Sequence, residues 1–193
     1  MEIRDNENKV INYEKYEYIE VNQAKEFIKP TDRVLELGAR WGGVSVTTNQ
    51  ILEDKEKHYV VECDPTVWEA LESNKINNNC SFNIIKGVIS NKKMSLKGEG
   101  LATHTIEDKD GDIPNFSIPD VDFNVLIADC EGFIEQFYDE NKEFFKGLRL
   151  ILLEKDRADY CDYDRIFKEF KELGFKQINP KFKFHTVWMK GHL

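Results

Sequence analysis

Cysteine is scarce in this chain and never falls in a C-x-x-C spacing: Cys63, Cys80, Cys130 and Cys161 stand 17, 50 and 31 positions apart in 193 residues. That argues against a zinc ribbon or a redox pair and makes a reducing compartment the simplest setting. Long apolar runs are missing as well. Neither end carries one that would span a bilayer, and the opening MEIRDNENKV lacks the basic-then-apolar order of a secretion signal. No membrane span and a cytoplasmic location are expected. Positive charge is in deficit, since 27 Lys+Arg against 36 Asp+Glu leave a net −9. Such a field repels polyanions, so duplex DNA and an anionic membrane are poor partners.

What is present is enough apolar material for one core. At 193 residues and 40% hydrophobic composition, a single domain over 1–193 is expected. Four short runs carry most of it: Arg33–Leu37, His58–Val61, Phe123–Ala128 and Leu148–Leu153. Each is continuous rather than alternating, the composition of strands buried on both faces of a parallel sheet. Segments of helical period lie between and after them. Phe133, Ile134, Phe137, Tyr138, Phe144 and Phe145 mark one helix, and Tyr163, Ile166, Phe167, Phe170 and Leu173 another. A third carries Val67, Trp68 and Leu71, with Asp64 or Thr66 as N-cap and Pro65 in its opening turn. Strand-helix alternation of this kind predicts a doubly wound α/β sheet.

Residues 1–30 read as an N-terminal extension or helix. Residues 90–122 hold three glycines, two prolines and no helical stripe, which predicts an irregular or hairpin insertion in place of a crossover helix. Phe175–Ile178 and Phe182–Met189 alternate apolar and polar residues and are expected to pair antiparallel at the end of the sheet. The tract NKINNN at Asn74–Asn79 reads as compositional bias.

The chemistry concentrates where the first run ends, at V-L-E-L-G-A-R-W-G-G over Val34–Gly43. Gly38 lets backbone approach a ligand, and the helix that follows presents free N–H groups to an anion, a cradle for a nucleotide or a carboxylate. It is not G-x-G-x-x-G, because Arg40 stands where the second glycine would admit a pyrophosphate. The second run ends in Glu62-Cys63-Asp64-Pro65, 26 residues beyond Glu36. A carboxylate there is placed to accept both hydroxyls of an adenosine ribose, and Glu62 is the expected ribose ligand.

These two motifs resemble motif I and the following acidic residue of class I S-adenosylmethionine-dependent methyltransferases. More narrowly, E-L-G-A-R-W-G, V-E-C-D-P, L-E-S-N-K-I-N-N-N and I-A-D-C-E-G-F (Ile127–Phe133), with L-L-E at Leu152–Glu154 and L-G-F at Leu173–Phe175, are similar to the FkbM-type methyltransferase family. The likeness covers about Arg33–Phe175 and departs at Arg40 and Trp41, at Cys63, and at Ile127, where a lysine is common. It implies a Rossmann-like class I fold, a mostly parallel seven-stranded sheet with helices on both faces and an antiparallel terminal strand. It also implies S-adenosylmethionine as cofactor. The cofactor would lie along Glu36, Gly38, Ala39, Arg40 and Gly42, reach Glu62 and Cys63, and place its adenine near Gly87 and Val88. Trp41 is a candidate to cover a ligand.

Three acids, Asp129, Glu131 and Glu154, are expected to converge at the ends of neighbouring strands. Asp129 or Glu131 would serve as general base for a hydroxyl; alternatively the three would hold Mg²⁺ or Ca²⁺. In the blander reading Asp129 binds the methionine amino group, Glu131 caps the next helix and Glu154 pairs with Arg157 or Lys155. His104, in the insertion, is either an acid-base partner brought in by a lid or a solvated loop residue; His185 reads as edge packing and His192 as tail. No N-P-P-Y or D-P-P-Y follows Ala128, which argues against methylation of base amino groups. The family resemblance implies O-methylation of a sugar, glycan or sugar-bearing small molecule; association with glycosyltransferases is expected if the chain is an accessory domain of a longer polypeptide. The alternatives are a ribose 2′-O-methyltransferase for RNA, using Asp129 and Lys155, and a non-catalytic adenosine-nucleotide binding module.

Overall fold

Continuous apolar runs become the strands of one sheet, because each alternate residue finds a separate core on its own side. In the computed structural model, which describes residues 1–178 and 183–191, these strands are β1 (Val34–Leu37), β2 (His58–Glu62), β3 (Asn83–Lys86), β4 (Val125–Ala128) and β5 (Leu150–Glu154). They run parallel and are joined by β6 (Phe175–Gln177) and β7 (His185–Lys190) in the order β6-β7-β5-β4-β1-β2-β3. Strand β7 pairs antiparallel with both β5 and β6. The terminal pair is therefore as expected; Phe182, assigned to it from sequence, lies outside the described residues, as does His192.

Val34, Val125, Ile127, Leu150 and Leu152 face one side and pack on Ala24 and Ile28. Leu35, Leu37, Leu126, Ala128, Ile151 and Leu153 face the other, where Phe137, Phe145, Phe170 and Trp188 fill the layer. Ala24 comes from α1 (Tyr18–Phe27), while Val46 of α2 (Gly43–Ile51) and Leu71 of α3 (Trp68–Asn77) pack in a third cluster with Val60 and Phe82; α4 (Ile134–Glu140), α5 (Lys142–Gly147) and α6 (Tyr163–Glu172) supply the three phenylalanines, and β7 supplies Trp188. No helix among the described residues is long and apolar enough to cross a membrane.

Two local expectations are corrected. The aromatic stripe from Phe133 to Phe145 is two helices, because the chain leaves helical geometry at Asn141 (φ −134°), whose side-chain amide donates to the Phe137 carbonyl at 2.9 Å. Neither Asp64 nor Thr66 caps α3. Asp64 Oδ1 accepts from the Thr66 N–H (2.9 Å) and hydroxyl (2.7 Å), closing a turn before the helix starts at Trp68. The 90–122 insertion does contain a hairpin, Met94–Lys97 with His104–Glu107, and Asn115–Phe116 adds parallel to Val88–Ile89.

Strands β1 and β4 are neighbours whose chains depart toward opposite edges of the sheet, β1 to β2 and β4 to β5. This is the switch point of a doubly wound sheet, where a crevice opens beyond the carboxyl ends of the strands.

Candidate active site

The crevice is built from the residues just past the strand ends. Ladder bonds run on beyond the strands: Gly38 N–H donates to Val61 O (3.0 Å), Asp129 N–H to Leu37 O (3.0 Å) and Gly87 N–H to Glu62 O (2.9 Å). The tips are thus fixed as a rim. Gly38 has φ +83°, and a Cβ there would lie 1.6 Å from the Asp129 carbonyl oxygen, so only glycine lets the β1 and β4 tips approach this closely. Arg40 follows at φ +47° and Gly42 at φ +85°, winding the turn into α2.

The cleft encloses about 780 Å³ including its open mouth. Gly38, Arg40, Glu62, Cys63, Gly87 and Val88 line one stretch of it, and Asp129, Glu131 and His104 line another. Sequence-derived cofactor and catalytic candidates therefore share one cavity. Glu62 is held across its mouth: Oε2 accepts from the Arg40 N–H at 2.6 Å and Oε1 from the Asp64 N–H at 2.7 Å. Burial pushes its carboxyl above the ordinary range, while these two N–H groups favour the ionised form. A carboxylate has about four acceptor positions, so two remain for hydroxyl donors in the cleft.

Not every candidate reaches this cavity. Glu36 is buried on the other side of β1, accepting from Ser45 Oγ at 2.6 Å and lying 2.9 Å from His58 Nε2. It lines a smaller cavity with Ala39, Glu17, Glu20 and Glu154. Gly42 sits behind the turn, where a Cβ would meet Leu71. Trp41 also turns away, packing beside Tyr16 (5.7 Å between ring centres) under the Arg40 guanidinium.

The acidic trio does not assemble as expected. Strand β4 stops at Ala128 and Glu131 enters a left-handed turn (φ +51°), its N–H donating to Asp156 Oδ2 at 2.8 Å. Glu131 therefore caps no helix, and α4 begins after Phe133. Asp129 opens into both cavities, whereas Glu154 lines the smaller one and meets His185 at 3.5 Å, not Arg157 or Lys155. Among the described residues, Asp129, Glu131 and Glu154 are not brought together around one ion position; the metal-capable group is Glu20, Glu154 and His185.

Although open to the cleft, Asp129 is hemmed in by protein. Desolvation, with Glu154, Asp156, Glu20 and Glu17 nearby, drives its carboxyl well above the usual range. Glu131 is raised to about 6 by desolvation and Asp156, tempered by Arg157 and Arg40. His104 is buried rather than solvated. Its Nδ1 lies 3.0 Å from Ala102 O and 3.4 Å from Arg157 Nη1, and its ring leans at 44° against Tyr160, 4.7 Å between ring centres. Arg40 Nη1 donates to Gly100 O at 3.0 Å, joining the turn after β1 to the hairpin. Lys155 points elsewhere, its Nζ resting over Tyr163 and Phe167.

Sequence reading missed several lining residues. Asp64 was visible only as a capping candidate, and Tyr16 comes from the N-terminal segment, where no pattern singled it out. Asp156 and Tyr160, which contact Glu131 and His104 without lining the cleft themselves, follow β5 in a stretch without a motif.

The strand order and the crevice at the β1/β4 switch point define the Rossmann-like class I methyltransferase fold. Solved structures agree. Precorrin-6y C5,15-methyltransferase from Geobacter metallireducens superposes with a TM-score of 0.60 at 11% identity, over 93% of this chain and 91% of that one. A methyltransferase from Pyrococcus furiosus gives 0.53 at 18% identity, over 92% and 83%. Aeropyrum pernix fibrillarin, solved with natively bound S-adenosyl-L-methionine, gives 0.52 at 16% identity, over 97% and 80%. No family model and no curated protein sequence matches the chain.

Proposed function

We propose that this protein is an S-adenosylmethionine-dependent methyltransferase that methylates a hydroxyl of a sugar, glycan or sugar-bearing small molecule, in the manner of the FkbM-type family its motifs resemble. The observation that carries this reading is the single cleft shared by the Gly38–Arg40 turn, Glu62, Gly87 and Val88 on one stretch and Asp129, Glu131 and His104 on another.

The residues fit the cofactor. Glu62 retains acceptor positions for two ribose hydroxyls, Gly87 and Val88 offer backbone and apolar surface to adenine, and the Gly38 cradle admits backbone contact with the amino-acid end. Asp129, beside that cradle, would take the ammonium of the methionine portion. When bound, the cofactor supplies an electrophilic sulfonium methyl group.

The protein's own work is then alignment and proton removal. Glu131, with its carboxyl near 6, is ionised in a useful fraction at neutral pH and would take the acceptor's proton as the O–CH₃ bond forms and the S–CH₃ bond breaks. The position of Lys155 and the net −9 weigh against the RNA 2′-O alternative.

The test is transfer of labelled methyl from S-adenosylmethionine across a panel of free sugars, glycans and structured RNA. Transfer to a glycan or sugar, reduced about 10²–10⁴-fold in Glu131→Gln with unchanged S-adenosylhomocysteine affinity, supports the reading. Transfer to RNA alone rejects the acceptor class, and cofactor binding with no transfer to any acceptor favours the binding-module alternative.

A further inference from the structure

We propose that Glu20, Glu154 and His185 form a binding site for a divalent transition-metal ion, Zn²⁺ or Mn²⁺, at the edge of the smaller cavity, which Glu20 and Glu154 line. The three come from separate elements: Glu20 from α1, Glu154 from the tip of β5, and His185 from the start of β7, opposite Glu154 in the antiparallel register. Each offers one ligand atom, and these atoms all lie within 4.8 Å of one another. His185 Nε2 is 2.8 Å from Glu20 Oε1 and 3.5 Å from Glu154 Oε1. Metal–ligand bonds of about 2.0–2.2 Å hold donors at such separations after small side-chain movements.

Charge makes the same case. Five carboxyl side chains line the cavity, those of Glu17, Glu20, Glu36, Asp129 and Glu154, against Arg40 as the cationic side chain in the lining. An independent observation comes from Glu17, one turn before Glu20 along the chain. Its Oε2 is buried in the wall of this cavity without a hydrogen-bond partner. A buried carboxyl oxygen so placed takes either a proton or a nearby cation, and an ion bound here would displace the proton that Glu17 otherwise holds.

The donor set selects the ion. One imidazole with carboxylates suits Zn²⁺ or Mn²⁺, whereas Mg²⁺ and Ca²⁺ prefer oxygen throughout. Bound there, an ion would pin the N-terminal end of α1 to β5 and β7, behind the turn residues Gly38 and Arg40 that both cavities share.

The experiment uses untagged full-length protein, stripped by a chelator and titrated calorimetrically with ZnCl₂ and MnCl₂ in the absence of any methyl donor. One ion per chain, a rise in melting temperature on loading, and at least about a tenfold loss of affinity in each of Glu20→Gln, Glu154→Gln and His185→Gln are expected. Electron paramagnetic resonance of bound Mn²⁺ in the unaltered chain gives a readout that needs no variant to fold. Absence of saturable binding at millimolar ion overturns the proposal. So does binding that survives all three substitutions, or that is lost in Glu131→Gln and not in Glu20→Gln.

Discussion

The backbone N–H of Arg40 donates to Glu62 Oε2 at 2.6 Å, so the turn leaving β1 and the tip of β2 are a single hydrogen-bonded unit. This bond sets the shape of that wall of the cleft. It also explains how Arg40 is accommodated at φ +47°: the strained backbone places its N–H on a carboxylate, and its side chain reaches the hairpin at Gly100.

Gly38→Ala tests the closeness of β1 and β4. The added methyl would need to stand 1.6 Å from Asp129 O, at φ +83°. Backbone cannot yield there cheaply, and a loss of about 3 kcal/mol or more in urea unfolding is expected, together with loss of S-adenosylhomocysteine binding. Wild-type stability and affinity would contradict the close packing.

Glu131 predicts a pH profile. Its carboxyl lies near 6, facing Asp156, Asp159, Arg157 and Arg40, so kcat/KM for methyl transfer should rise as pH passes through about 6 and then level. In Glu131→Gln that inflection should vanish and the plateau drop by about 10²–10⁴. An unchanged profile in the variant would remove Glu131 from the proton transfer.

Glu17 predicts a stability profile. Desolvation, then Glu20 and Glu36, raise its carboxyl to about 8, against the Val44 N–H and Arg40, which lower it. The folded protein thus holds this proton more tightly than the unfolded chain. The stabilisation is complete below about 4.5, the ordinary value, and is lost as pH rises through about 8. Glu17→Gln should lose on the order of 2 kcal/mol less than wild type between pH 5 and pH 8, measured by urea unfolding at both. Parallel curves for the two proteins would contradict the burial of a protonated Glu17.

Asn74 holds the N-terminal segment, in which Ile3–Arg4 pairs antiparallel with Val10–Ile11. Its amide donates to Arg4 O (2.7 Å) and Trp41 O (2.9 Å), and its oxygen accepts from the Arg4 N–H (3.0 Å), all with the side chain buried. Asn74→Leu strands three backbone groups and should cost about 2–4 kcal/mol, with faster hydrogen exchange at Arg4. A loss below about 0.5 kcal/mol would mean water replaces these bonds freely.

What was legible in the sequence was local. The buried strands announced themselves as apolar runs, and Gly38 and Glu62 stood at run ends, where the carboxyl edge of a parallel sheet needs a tight turn and an acid. Even the 90–122 insertion was readable from its glycines and prolines. The illegible parts depend on distant partners. Glu20 and His185 are 165 positions apart, and only the β5–β7 register and the lie of α1 bring them together. Asn74 hid in a tract that looked like compositional bias. The acid trio was misjudged because strand spacing was extended past Ala128, where the chain instead turns left-handed at Glu131.

Calorimetric titration with S-adenosylhomocysteine, comparing the wild type with Glu62→Gln, tests the central claim most directly. The wild type should bind one molecule at micromolar strength. The variant keeps the side chain's shape but loses charged acceptors for the ribose, and should bind about 10–100-fold more weakly while unfolding at nearly the same temperature. No binding by folded wild-type protein, or equal affinity in the two, would contradict it.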